Sequence, residues 1–126
     1  MAIIRPIVPA TVQGPLGPYS PAVVCNNMVF VSGQIPTDSF GTIVGSSIEA
    51  ATQQALDNLR SVLVAAGCTP AAVVKTTVFL TDLADFDGMN RTYATFFGSH
   101  RPARSTVQVS KLPAGARVEI ECIAVL

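Results

Sequence analysis

Between Ser46 and Ala66 the apolar residues Ile48, Ala51, Ala55, Leu56, Leu59, Val62, Leu63 and Ala66 recur at three- and four-residue steps. That spacing predicts an α-helix with one continuous apolar face. Ser46 with Glu49 forms a capping-box pattern at its start, and Gly67 supplies a left-handed residue just past its end. The face needs a partner, and the sequence on either side offers strand-like runs to pack against.

Upstream, Met1 to Val8 reads as an edge strand in which Pro6 leaves one side unpaired. Gly14, Pro15, Gly17, Pro18 and Pro21 then forbid regular structure around Tyr19. Tyr19 is expected on a stiffened loop, either lining a pocket or plugging a hydrophobic gap with its hydroxyl in water. Ala22 to Cys25 and Met28 to Ser32 form two strand-like runs joined by Asn26-Asn27, a pair suited to a tight hairpin. In Ser32-Gly33-Gln34 the glycine marks a bulge, a close approach to the backbone, or simply the strand end.

Downstream, Val73 to Leu80 is rich in β-branched residues and predicts a buried strand, with Lys75 at the sheet edge or snorkelling to solvent. Asp82 is placed to cap a second helix, whose Leu83, Phe86, Met89, Tyr93 and Phe96 repeat at helical spacing and which Gly98 closes. Asn90 falls at the margin of that face, as a cleft residue or a solvated one. Two last strands are expected from about Arg104 to Val109 and Arg117 to Val125, turned by Leu112-Pro113-Ala114-Gly115. Read as neighbours, these strands let Arg104, which shares a face with Thr106 and Gln108, meet Glu119, which shares one with Glu121. An arginine fork grips a carboxylate through paired hydrogen bonds, and a nearby glutamate can hold or deprotonate water, so the pair suggests a site for a small organic acid. The alternative is that Arg104 merely pairs with Glu119 or Glu121 on the sheet.

Only 13% of the 126 residues are charged and about half are hydrophobic, which allows one core and a single domain spanning 1–126. Apolar surface left over would favour self-association. Eight basic residues balance eight acidic ones with no basic run, so nucleic acid is not the expected partner. Cys25, Cys68 and Cys122 are odd in number and widely spaced, which suits small thiols in a reducing compartment better than disulfides or a zinc cluster. No stretch has the roughly 18 apolar residues of a membrane span, and the first residues lack the charged region and hydrophobic core expected of a secretory signal. A cytoplasmic protein is expected, with an organellar address left open.

The segments Gly17-Pro-Tyr-Ser-Pro-Ala-Val, Val29-Phe-Val-Ser-Gly-Gln-Ile-Pro36, Val73-Val-Lys-Thr-Thr-Val-Phe-Leu80, Pro102-Ala-Arg-Ser105 and Val118-Glu-Ile-Glu-Cys-Ile-Ala124 resemble the Rid family of reactive-intermediate deaminases, also described as YjgF or L-PSP proteins. The resemblance runs from about residue 15 to the C-terminus. It implies an α+β, chorismate-mutase-like fold, a sheet with two helices on one face, assembled as a homotrimer with clefts between subunits. It also implies hydrolysis of 2-iminobutanoate and 2-iminopropanoate to 2-keto acids and ammonia, without metal or cofactor. By position, Arg104 would bind the substrate carboxylate and Glu119 would orient water. Tyr19, Ser32, Gly33 and Asn90 match cleft-lining positions.

The chain departs from the family in two places. Arg101 stands where a bulky aromatic often precedes Pro-Ala-Arg-Ser, and Thr106 stands where some relatives carry cysteine; both bear on cleft shape and substrate preference. Two other functions compete. One is a noncatalytic module that binds small carboxylates through the same residues. The other is the endoribonuclease or translation-inhibitor activity attributed to some relatives, which the neutral charge and a lone His100 support poorly.

Overall fold

The computed structural model describes residues 2–9 and 14–126. Met1 and residues 10–13 lie outside it. Six strands form one sheet: β1 (Arg5–Ile7), β2 (Ala22–Cys25), β3 (Met28–Gln34), β4 (Val73–Leu80), β5 (Ala103–Gln108) and β6 (Val118–Val125), in the order β1-β2-β3-β6-β4-β5. All pairs are antiparallel except β4 with β5. Helices α1 (Ile48–Ala66) and α2 (Phe86–Phe97) pack against each other and on one face of the sheet. This is the expected α+β class. The expected edge strand shrinks to Arg5–Ile7, with Pro6 paired to Val23 on the outermost strand.

Local signals explain the local structure. Asn26 and Asn27 both take positive φ, 52° and 62°, the geometry that lets a two-residue turn follow the twist of β2 and β3. Gly67 sits at φ 94° and directs its N–H to Val64, while Cys68 N–H reaches back to Leu63, closing the end of α1. The start of α1 corrects the sequence reading. Ser47, one residue after Ser46, is the N-cap, and its Oγ accepts from Ala50 N–H at 3.0 Å. Glu49 does not fold back as a capping box but reaches Arg91 of α2 at 2.9 Å.

The second helix is likewise reapportioned. Asp82 caps a short 3-10 turn, Leu83–Asp85, by accepting from Ala84 N–H, and α2 proper starts at Phe86. Its buried stripe is Gly88, Met89, Tyr93 and Phe97, whereas Leu83 is exposed and Phe96 only partly buried. Met89, Tyr93 and Phe97 are spaced four apart and so share one face, with Phe96 at its margin.

The core lies between the helices and one face of the sheet. Leu56, Leu59, Val62 and Leu63 of α1 meet Val29, Val78, Leu80, Val118, Ile120 and Ala124, all fully buried. Burying each of the Leu, Val and Ile side chains contributes about 1.5–3 kcal/mol. Cys122 lies on this inner face, where burial pushes its thiol up to about 12, so it behaves as a small apolar group.

The other face of the sheet is covered by no element described here. Register places Val23, Phe30 and Ile123 in one row across it and Glu119, Phe79 and Val107 in another. Phe30 is 45% and Val107 41% exposed. Lys75 also points here from β4, an interior strand rather than an edge, and donates to Ser105 Oγ at 2.8 Å.

The two serines before α1 separate by experiment. Ser47→Ala is expected to lose about 1 kcal/mol through the missing cap, and Ser46→Ala less than about 0.5 kcal/mol, in urea unfolding curves.

Candidate functional site

The strand order decides where the candidate residues fall. Strands β5 and β6 are not neighbours as expected, because β4 runs between them. Arg104 lies opposite Thr76 and Glu119 opposite Phe79 on that intervening strand. Thr76 faces the helices and Phe79 the uncovered side, so within one chain Arg104 and Glu119 project from opposite faces of the sheet. They do not meet. Each instead organises its own cavity.

The first cavity, about 160 Å³, is lined among others by Tyr19, Gly33, Asn58 and Glu119. It depends on an irregularity in β3. The pairing of β3 with β6 shifts between Val31 and Gln34, so that Ser32 and Gly33 together take the space of one residue. The bulge brings Gly33 beneath the Glu119 side chain. A β carbon at Gly33 would sit 2.7 Å from Glu119 Cδ and collide with Oε2, so only glycine leaves that carboxylate its place.

Ser32 acts one step back from the cavity. Its Oγ donates to Ser20 O at 2.7 Å and its N–H to Pro21 O at 2.9 Å, tying β3 to the loop that carries Tyr19. The Tyr19 ring is 49% exposed, and its hydroxyl takes a long contact of 3.4 Å from Leu16 N–H. Glu119 is half-buried. Burial first, and then the like charge of Glu121, hold its carboxyl above the ordinary carboxylate range. Such a group holds a proton more readily than a solvated glutamate.

The second cavity, about 370 Å³, is lined by Asn90, Tyr93, Ala94, Phe97, Arg101, Pro102 and Arg104. Arg104 is held on several sides. Its Nη2 donates to Asn90 Oδ1 at 2.6 Å, its Nη1 approaches Met89 Sδ at 3.9 Å, and its guanidinium lies 4.7 Å from the Tyr93 ring centre and 5.6 Å from that of Phe86. None of these partners is an anion, so the charge stays available while the fork is oriented. Thr106 projects from the same face of β5, opposite Val78.

Tyr19, Gly33 and Glu119 are therefore brought together, as are Arg104 and Asn90, while the two groups stay apart. Two contributors were not recognised in the sequence as parts of a site. Asn58 donates to the carbonyls of Ile35 and Thr37 at 3.0 and 2.9 Å, pinning the wall of the first cavity to α1. Tyr93, read only as core, supports Arg104 and hydrogen-bonds Thr76 at 2.7 Å through its hydroxyl. A tyrosine in an otherwise apolar stripe was the available signal. His100 lies elsewhere, its Nε2 2.6 Å from Val73 O.

Known proteins resemble this chain in sequence and fold. A family model described as Endoribonuclease L-PSP covers residues 11–126. The human 2-iminobutanoate/2-iminopropanoate deaminase is 44% identical over 98% of this chain and 90% of its own length. The chloroplastic Reactive Intermediate Deaminase A of Arabidopsis thaliana is 49% identical over 88% of this chain and 60% of its own length. The crystal structure of E. coli TdcF with bound serine superimposes with a TM-score of 0.91 at 40% identity, over 97% of this chain and 98% of that one. With its sheet, helices and motifs in place over nearly the whole length, the chain belongs to the Rid family, described by its family model as Endoribonuclease L-PSP.

Proposed function

We propose that this protein hydrolyses small reactive 2-imino acids, 2-iminobutanoate and 2-iminopropanoate among them, to 2-keto acids and ammonia, in clefts formed between copies of the chain. The observation that carries the reading is the division of the candidate residues. Arg104 and Asn90 lie on one face of the sheet and Glu119, Gly33 and Tyr19 on the other, so a complete site needs two chains. The uncovered apolar face with Phe30, Ile123 and Val107 favours such an assembly, read as a homotrimer. Relatives named as imine deaminases support the reaction class, and a relative holding serine supports a small amino-acid-like ligand.

In this reading Arg104 of one copy holds the substrate carboxylate, with Asn90 and Tyr93 fixing its orientation. Glu119 of the neighbouring copy accepts a proton from water as its oxygen adds to the imine carbon. The electrons of the C=N bond pass to nitrogen, which takes up a proton. Glu119 then carries the hydroxyl proton of the resulting carbinolamine to nitrogen as the C=O bond forms, the C–N bond breaks and ammonia leaves. The raised proton affinity of Glu119 suits a group that must both take and return a proton.

Trapping with semicarbazide tests the activity directly. Imine generated by a threonine dehydratase or an amino-acid oxidase should be lost before trapping when the protein is present. Arg104→Ala should reduce that effect roughly 10²-fold, and Glu119→Gln by about 10² or more. A carboxylate sensor would instead leave trapping unchanged and retain 2-oxobutanoate binding in Glu119→Gln.

The shared cleft makes a sharper prediction. Mixed and reassembled Arg104→Ala and Glu119→Gln chains, each inactive alone, should regain about a quarter of the wild-type sites, because one interface in four joins an intact Glu119 to an intact Arg104. No recovery in co-assembled oligomers would place both residues of a site on one chain.

The like charge of Glu121 raises the proton affinity of Glu119, so Glu121→Gln should lower it. Activity that needs ionised Glu119 falls as the pH drops through its pKa. The acid limb of the pH–rate profile is therefore expected to move to lower pH in Glu121→Gln. An unchanged limb would remove Glu119 as the titrating base.

A further inference from the structure

We propose that Arg101 is a second anion-binding residue of the Arg104 cavity and selects 2-imino acids that carry a second carboxylate. This rests on the imine-deaminase reading above and names its preferred substrate class.

The observation is a pair of cations on one wall. Arg101 and Arg104 both line the cavity beneath α2, and no acidic residue lines it with them. The ion pairs among the described residues, Arg60 with Asp57, Arg91 with Glu49 and Arg117 with Asp85, leave both arginines without a carboxylate partner. Two like charges converging on one cavity oppose each other and raise the local potential for anions.

Their roles differ in support. Arg104 is oriented by Asn90, Met89 and two rings, whereas Arg101 is exposed at the rim. Pro102, between them in sequence, restricts Arg101 to extended backbone and stiffens the path to Arg104. Three residues of chain separate the two arginines, about 10 Å where extended, and both residues line the one cavity. Two cationic residues on one small cavity suit a short molecule that carries two anionic groups.

A monocarboxylic imino acid answers Arg104 alone. A dicarboxylic one of four or five carbons, such as an oxidase forms by removing hydride from an acidic amino acid, answers both. The same charge disfavours imines with a cationic side chain.

The experiment compares kcat/KM of the assembled protein for imines generated in situ by amino-acid oxidases from glutamate and from 2-aminobutyrate. Wild type, Arg101→Ala and Arg101→Lys are measured side by side. The dicarboxylic substrate is expected to lead in wild type, the ratio to fall about tenfold in Arg101→Ala, and Arg101→Lys to restore part of it. Equal ratios in wild type and Arg101→Ala overturn the proposal. If neither imine is hydrolysed, the deaminase reading fails. Calorimetric titration with 2-oxoglutarate and 2-oxobutanoate then decides the role of Arg101 alone. Selective weakening of 2-oxoglutarate in Arg101→Ala upholds it, and equal affinities in the two proteins overturn it.

Discussion

Everything in the site follows from the insertion of β4 between β6 and β5, which puts Phe79 opposite Glu119 on one neighbour and Thr76 opposite Arg104 on the other. Side chains alternate across a strand, and the helices occupy only one face, so residue parity alone assigns each functional group to the core side or the uncovered side. Arg104 falls on the helix side, where Tyr93, Asn90 and Met89 can steady it. Glu119 falls on the uncovered side, beside a bulge that leaves room for its carboxylate over Gly33.

Local order was readable in the sequence wherever the signal was local. The period of α1, the glycine that ends it and the Asn26-Asn27 hairpin each depend on neighbours a few residues away, and each is found in the structure. The N-cap was misplaced by one residue because Ser46 and Ser47 are chemically equivalent, and only the path of the chain decides between them. Strand order was misread for a different reason. A turn between β5 and β6 suggests a hairpin, yet β5 pairs in parallel with β4, a partner set by the α2 crossover and by long-range burial.

The candidate residues were legible as chemistry but not as an arrangement. Arg104, Glu119, Asn90, Tyr19 and Gly33 line cavities, while Ser32 braces the Tyr19 loop from behind. That Arg104 and Glu119 lie in separate cavities could not be read from spacing, because opposite faces depend on strand order. The uncovered apolar face and the divided site share one explanation in the proposed assembly: contact between copies would bury the first and complete the second.

The most direct measurement is a crystal structure of the assembled protein with 2-oxobutanoate, the stable product of the proposed reaction. Its carboxylate is expected in paired hydrogen bonds to Arg104 of one copy, with Glu119 of the adjacent copy beside the keto carbon. A product bound wholly within one chain, or adjacent copies whose Arg104 and Glu119 face different clefts, would contradict it.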